Sequence, residues 1–144
     1  KRLDRIKERA KGQRLLSVLF VVGRTPGTLQ QMYGVGTKTY MDELLRMAGG
    51  VNMLSDAKES YPLISKEELL QRNPEVIIES QIVSDPHVSP EESNKAWGQM
   101  PGLRAFQKKH IYYFHDPSFT IPGPSMVGLG EFLCDSFQKV RASH

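Results

Sequence analysis

Tyr61–Ser80, YPLISKEELLQRNPEVIIES, encodes one helix and the strand it feeds, with the boundaries of both marked by residue type. Ser65 is a helix N-cap residue and Glu68 stands three positions later, so each side chain can accept from the other's backbone N–H, the pattern of a capping box. The spacing predicts a helix that begins at Lys66. Pro74 lacks a donor and drives Asn73 out of the α region, which limits that helix to about two turns. Glu75–Glu79, EVIIE, is then a β-branched apolar run with charged ends and reads as a buried strand. Glu67 is left on an exposed first helical turn.

Upstream, Leu15–Val22, LLSVLFVV, is apolar almost throughout, as expected of a central parallel strand covered on both faces. Lys1–Lys11 spaces Leu3, Ile6 and Ala10 among charges as an amphipathic helix does, and Gly12 ends it. Gly23–Gly36, GRTPGTLQQMYGVG, follows the carboxyl end of the core strand, where open α/β sheets hold ligands. Its fourteen residues exceed an ordinary connection, which points to a ligand-facing loop. Gly34 and Gly36 do not begin a dinucleotide fingerprint, because Thr39 occupies the third glycine position. Thr37–Ala48 places Tyr40, Met41, Leu44, Leu45 and Ala48 on one helical face, with Thr37 as the expected cap and Gly49–Gly50 as the stop. A polar link, MLSDAKES, leads from there into the opening stretch.

Downstream, Gln81–Asn94 reads as a loop with a short helix starting near Pro90 that takes in Trp97. Another helical turn spans Leu103–Lys108. His110–Phe114, HIYYF, is a third strand, aromatic and near a sheet edge, and His115–Pro124, HDPSFTIPGP, is a proline-rigid loop at its carboxyl end. From Ser125, read as a cap, the residues Met126, Val127, Leu129, Phe132, Leu133, Phe137 and Val140 describe a closing amphipathic helix. The alternation of strands and helices predicts an α/β lobe: three layers, with a small, mainly parallel central sheet flanked by helices.

The 144 residues suit one domain, and 39% hydrophobic with 24% charged residues is ordinary globular composition. The net charge of +3 gathers in the first fourteen residues rather than in a central patch, which argues against nucleic acid as a partner. A single cysteine, Cys134, excludes an internal disulfide framework and is expected as a small buried residue on the last helix. No apolar run approaches the roughly 18 residues of a membrane span, and no signal-peptide pattern is present. The abrupt charged start without an initiating Met is expected of a piece of a longer precursor. His87, His110, His115 and His144 share no ligand spacing, so no metal site is expected, although His115 beside Asp116 could touch a ligand. Gly123-Pro124-Ser125-Met126-Val127 fails as a nucleophile elbow, no P-loop occurs, and no acid–base pair emerges. The chain reads as non-catalytic and without a cofactor.

Four runs, GVGTKTYMDELLRMAGGVNML, the opening stretch, AWGQMPGLRAFQKKHIYYF and IPGPSMVGLGEFL, together resemble the carboxyl-terminal lobe of the substrate-binding proteins that deliver cobalamin, haem, ferric siderophores and metal ions to ABC importers. The resemblance covers about residues 15–140 and departs at Ser125, where many members carry arginine. It implies two α/β lobes joined by a long helix, with residues 1–12 as the tail of that helix, residues 13–144 as the second lobe and the amino-terminal lobe missing. It also implies a periplasmic or otherwise extracytoplasmic setting, with a lipid anchor on the full-length protein. The ligand would lie in a cleft between strand-end loops, for which Arg24, Thr25, Tyr33, His115 and Phe119 are the expected contacts, Arg24 pairing with a carboxylate or propionate. Members also dock on the permease through a glutamate in the pattern apolar-Ser-basic-Glu, which here is Ile64-Ser65-Lys66-Glu67. An isolated lobe would bind ligand weakly and self-associate through its uncovered cleft face. Two alternatives remain at this level: a metallocluster reductase or chelatase component, which would want more Cys or His, and a receiver-type signalling domain, which would want acids where Gly23 and Arg24 stand.

Overall fold

Leu16–Gly23 forms the central strand, β1, and its alternation sends side chains into two separate cores. Leu16, Val18 and Phe20 enter one cluster, Leu19 and Val21 the other, and all five are fully buried. A strand covered on both faces needs an apolar side chain at nearly every position, as the run LLSVLFVV supplies. The computed structural model describes residues 7–8, 11–13, 15–23, 32–36, 39–80, 95–114 and 124–142, with the backbone alone for Val22, Gly23, Tyr40, Ser80, Phe114 and residues 124–129.

β2 (Met32–Gly34), β3 (Gly50–Asn52), β4 (Leu63–Ile64), β5 (Val76–Ser80) and β6 (Ile111–Phe114) complete a six-stranded sheet. Its order is β4-β2-β1-β5-β6, with β3 pairing the first half of β1. β5 lies parallel to β1 (Val18 opposite Val76), β6 parallel to β5 (Ile77 opposite Ile111), and β3 parallel to β1 (Leu16 opposite Gly50). β2 runs antiparallel to β1 and β4 antiparallel to β2, so β4 points the same way as β1. β2 alone is reversed, and the sheet is mainly parallel as expected, with the aromatic β6 at its edge.

Three of these strands, β2, β3 and β4, were not expected. Met32–Gly34 belongs to the segment read as a continuous loop, β3 follows directly on the glycine stop of the expected helix, and β4 lies in the opening stretch just before the expected Ser65 cap, where no strand was read. At two or three residues each they are too short to show a period of two. Gly34 and Gly36 explain why β2 can sit there. Gly34 N–H donates to Pro62 O at 3.0 Å and Gly36 N–H to Ser60 O at 2.7 Å, and a Cβ on Gly36 would collide with the Glu59 carbonyl.

Helices cover both faces. α1 (Tyr40–Met47) and α4 (Pro124–Ala142) close over the first core, where Met41, Leu44, Leu45 and Ala48 meet Leu133, Cys134, Phe137 and Val140. α2 (Lys66–Arg72), α3 (Arg104–Gln107) and the helical turn at residues 95–97 close over the second, where Leu69, Trp97, Leu103 and Ala105 are buried. The layer order is helix, sheet, helix. The cap of α1 is Thr39, two residues after the expected Thr37: Asp42 N–H donates to Thr39 Oγ1 at 3.0 Å, and Thr39 is the residue left in extended backbone. Gly49, at φ +96°, takes the left-handed position that ends α1. α4 begins with Pro124, a residue suited to a first helical position, so Ser125 lies inside the first turn rather than at the cap. Lys7 and Glu8 are helical and Gly12 has φ +77°; the rest of the expected amino-terminal helix lies outside the described residues.

Candidate functional site

The parallel strands β1, β5 and β6 end together at Gly23, Ser80 and Phe114, which defines one rim of the sheet. Because β4 points the same way as β1, it delivers Ser65 and the first turn of α2 to that rim as well. Tyr33 sits there too, opposite Gly23 on one side and opposite Leu63 on the other. Tyr33 is 45% exposed beside a still more open Leu63 at 60%, a cross-strand pair at the sheet's corner. Of the five expected ligand contacts, Tyr33 is therefore at a strand end. Arg24, Thr25, His115 and Phe119 lie outside the described residues; Arg24 directly follows β1 and His115 directly follows β6 in the chain.

Each side chain around Glu67 has a definite task. Ser65 is extended (φ −88°, ψ 155°), and its Oγ accepts from Glu68 N–H at 3.1 Å. The return half of the expected capping box is replaced, because the Glu68 carboxylate reaches forward to Arg72 Nε at 3.3 Å. Arg72 also donates to both Asp56 oxygens at 2.9 Å and to Met53 O at 2.6 Å, and its charged Nε–H, one helical turn from Glu68, holds that carboxylate more strongly than the neutral Ser65 N–H would. The Arg72 guanidinium hydrogen-bonded to Asp56 holds the Asp56 carboxyl below its ordinary range, and Asp56 in turn raises Arg72. Leu69 is buried and pins the helix to the sheet. At the far end Asn73 adopts the left-handed conformation (φ 41°), with its Oδ1 accepting from Arg104 N–H at 3.0 Å before Pro74 starts the turn into β5. The exposed Glu67 carboxylate has no partner among the described residues.

Two buried polar clusters that the sequence did not reveal brace the fold, one beside the first half of β1 and one near the end of β5. Asn52 Nδ2 donates to Val35 O at 2.9 Å and to Asp42 Oδ1 at 2.8 Å, while its Oδ1 accepts from Leu54 N–H at 2.9 Å. The other Asp42 oxygen meets Arg46 Nε at 3.2 Å. Glu79, near the end of β5, is buried and accepts from Trp97 Nε1 at 3.2 Å, so the indole roofs the middle of the sheet. A charged residue inside an apolar face was the available signal: Asp42 shares the α1 face of Met41 and Leu45, and Glu79 shares the strand face of Ile77.

Cavities of about 390 and 490 Å³ open at the opposite end of the sheet, lined by Gln13, Cys134 and Arg141 and by Leu15, Arg46 and Gly49, and neither includes Tyr33 or Glu67. Among the described residues no group of three or more His, Cys, Asp or Glu is placed to hold a metal ion, and no helix is long and apolar enough to cross a membrane.

Comparison with known proteins decides the family. A family model described as periplasmic binding protein matches residues 1–117. The chain belongs to the periplasmic binding protein family. Among curated members, the vitamin B12-binding protein of Vibrio parahaemolyticus is 24% identical over 108 residues, 74% of this chain and 37% of that protein. The high-affinity heme uptake system protein IsdE of Staphylococcus aureus is 29% identical over 120 residues, 78% of this chain and 38% of that protein. Among solved structures, the periplasmic vitamin B12 binding protein BtuF of Vibrio cholerae superposes with TM-score 0.75 at 20% identity, covering 97% of this chain and 51% of that one. An ABC transporter substrate-binding protein from Listeria monocytogenes gives TM-score 0.80 at 17% identity, covering 94% and 52%. This periplasmic binding protein chain thus shares their α/β fold and spans about half the length of those solved chains and under two fifths of those curated relatives.

Proposed function

We propose that this chain is the carboxyl-terminal lobe of a two-lobe, non-enzymatic solute-binding protein serving an ABC importer. The observation that carries the proposal is the superposition of nearly the whole chain on about half of a vitamin B12 binding protein, together with the family match. Residues 1–12 are then the tail of the inter-lobe helix and residues 13–144 the lobe itself. The ligand class is a metal complex or macrocycle, in keeping with relatives named for vitamin B12, heme and Fe3+-hydroxamate. Tyr33 on β2, opposite the end of β1, supplies an exposed aromatic wall of the kind such ligands use, with Arg24, Thr25, His115 and Phe119 completing this half of the cleft from the neighbouring strand-end loops. The setting is outside the cytoplasm, as the family name implies, with the full-length protein held by a lipid anchor.

Glu67 is the docking contact for the permease. It is the acid of α2 left unpaired after Glu68 is taken by Arg72, and it stands at the same rim as the cleft, so a permease seated there would face the ligand. Calorimetric titration of the full-length protein with cobalamin, haem, ferric hydroxamate and nickel tests the ligand half of the proposal. One of these should bind with a Kd of about 1 μM or tighter, and the isolated lobe, which holds half the contacts and self-associates through its open cleft face, should bind it at least about a hundredfold more weakly. Equal affinity of lobe and full-length protein, or no binding of any of the four, would overturn it.

A further inference from the structure

We infer that the end of this lobe opposite the rim is a membrane-contact surface, which sets Leu15 and the cations around it on anionic phospholipid. The inference draws on the two-lobe reading only for which end stays open: a second lobe that closes the cleft faces the rim and leaves the other end free. Leu15 is 59% exposed, although Leu16, the next residue, is fully buried. It lines the larger of the two cavities at that end, about 490 Å³, in company with Lys7, Lys11 and Arg46. Glu8 is the only acid lining it. The neighbouring cavity, about 390 Å³, is lined by Arg141 and by no acid. Both cavities flank the turn at Ala48–Gly49, where Gly49 O accepts from Leu16 N–H at 3.2 Å and from an Arg141 nitrogen at 3.4 Å.

Local sequence explains how the cations gather there. Lys7 and Lys11 stand one helical turn apart, so both side chains share a face, and Lys11 N–H donates to Glu8 O at 3.3 Å. Gly12, at φ +77°, then redirects the chain, and Leu15 comes to line the same cavity as the two lysines. Arg46 arrives from the last turn of α1; it pairs with Asp42, yet its side chain remains 56% exposed. The first fourteen residues hold seven basic side chains against two acids in a chain whose net charge is only +3, so the rest of the chain is net acidic and the positive charge is confined to this segment.

An exposed leucine set among cations matches the interface of an anionic bilayer. The apolar group enters the headgroup layer, the lysine stems lie along it, and the ammonium groups meet phosphate. Each basic residue near such a surface strengthens binding by about fivefold, so a few of them give a reversible contact rather than a permanent anchor. The family's setting outside the cytoplasm brings a phospholipid surface within reach. Because the cleft lies at the other end, a lobe resting on lipid keeps its ligand site open.

The test is co-sedimentation of the full-length protein, prepared without a lipid anchor, with vesicles of phosphatidylcholine alone or of equal parts phosphatidylcholine and phosphatidylglycerol. Wild type should bind the mixed vesicles at least about tenfold more tightly than the neutral ones, with the difference lost at high salt. Lys7→Gln/Lys11→Gln should bind the mixed vesicles about twenty- to thirtyfold more weakly, and Leu15→Gln about fivefold more weakly. Glutamine keeps the helix preference of lysine, and all three positions are exposed, so the fold is retained. Equal binding to both kinds of vesicle, or a lysine variant within twofold of wild type, would overturn the inference. A weakened lysine variant beside an unaffected Leu15→Gln would overturn the part given to Leu15. Vesicle binding by the isolated chain but not by the full-length protein would show this end covered, and would overturn it too. Ligand titration of the same full-length preparation reports on the two-lobe reading separately, and both variants should leave that affinity unchanged.

Discussion

Replacing Asn52 by leucine removes three hydrogen bonds from a buried site. The Asn52 side chain bonds Val35 O, Asp42 Oδ1 and Leu54 N–H at 2.8–2.9 Å, and Asn52 and Asp42 are 2% and 4% exposed. Two neutral bonds contribute about 0.5–1.5 kcal/mol each and the bond to a carboxylate about 1.5–3 kcal/mol, so the loss is about 2.5–6 kcal/mol. Leucine fills nearly the same volume and returns about 1 kcal/mol of apolar burial. The expected net destabilisation is about 3–4 kcal/mol, enough to exhaust much of a domain's stability. Urea unfolding followed by the fluorescence of Trp97, the single and fully buried tryptophan of the chain, measures it directly. With a slope near 2 kcal/mol per molar urea, the midpoint should fall by about 1.5–2 M. A loss under about 1 kcal/mol would refute the view that Asn52 ties β3, the exit of β2 and α1 into one unit.

Two further outcomes follow from single contacts. Gly36→Ala should destabilise by about 1–3 kcal/mol in the same assay, because the new Cβ meets the Glu59 carbonyl and lies 3.2 Å from Ser60 O, where backbone must move and the bond from Gly36 N–H to Ser60 O is lost. The pairing of Asp56 with Arg72 depends on pH with a definite sign. Asp56 is depressed below its ordinary 3.8 in the folded chain, so its contribution is complete above that value and is lost as pH falls through the lower folded one. Thermal midpoints of wild type and Asp56→Asn should therefore differ fully at neutral pH and converge only as pH falls below 3.8 and through the depressed folded value.

The scaffold was legible wherever one residue type answered one physical demand. LLSVLFVV reads as a doubly covered strand because it is short, rich in valine and almost without polarity. Ser65 and Pro74 bound α2 because capping and a missing donor act within a few residues. The short β2, β3 and β4 were hidden because their pairing is made by tertiary register: Met32 and Tyr33 are in a strand only because Ile64 and Leu63 lie opposite. Thr39 prevailed over Thr37 as the cap for a similar reason, since Asn52 fixes where Asp42, and with it the start of α1, must lie. At the candidate site, the strand-end rule led only to the Gly23–Gly36 segment, whereas Tyr33 as a ligand contact and Glu67 as a docking residue came from the resemblance. Structure added what marks Glu67 out: its neighbour Glu68 is bound to Arg72 and Glu67 is not bound to anything described.

The central claim is that Glu67 couples this lobe to a permease while the ligand sits elsewhere on the rim. Stimulation of the importer's ATPase activity by the ligand-loaded full-length protein, measured for wild type and Glu67→Lys beside their ligand affinities, tests it most directly. The account predicts ligand affinity within about twofold of wild type and stimulation reduced at least about tenfold, because the reversed charge would confront the partner's cation. Stimulation by Glu67→Lys equal to that of wild type would contradict it.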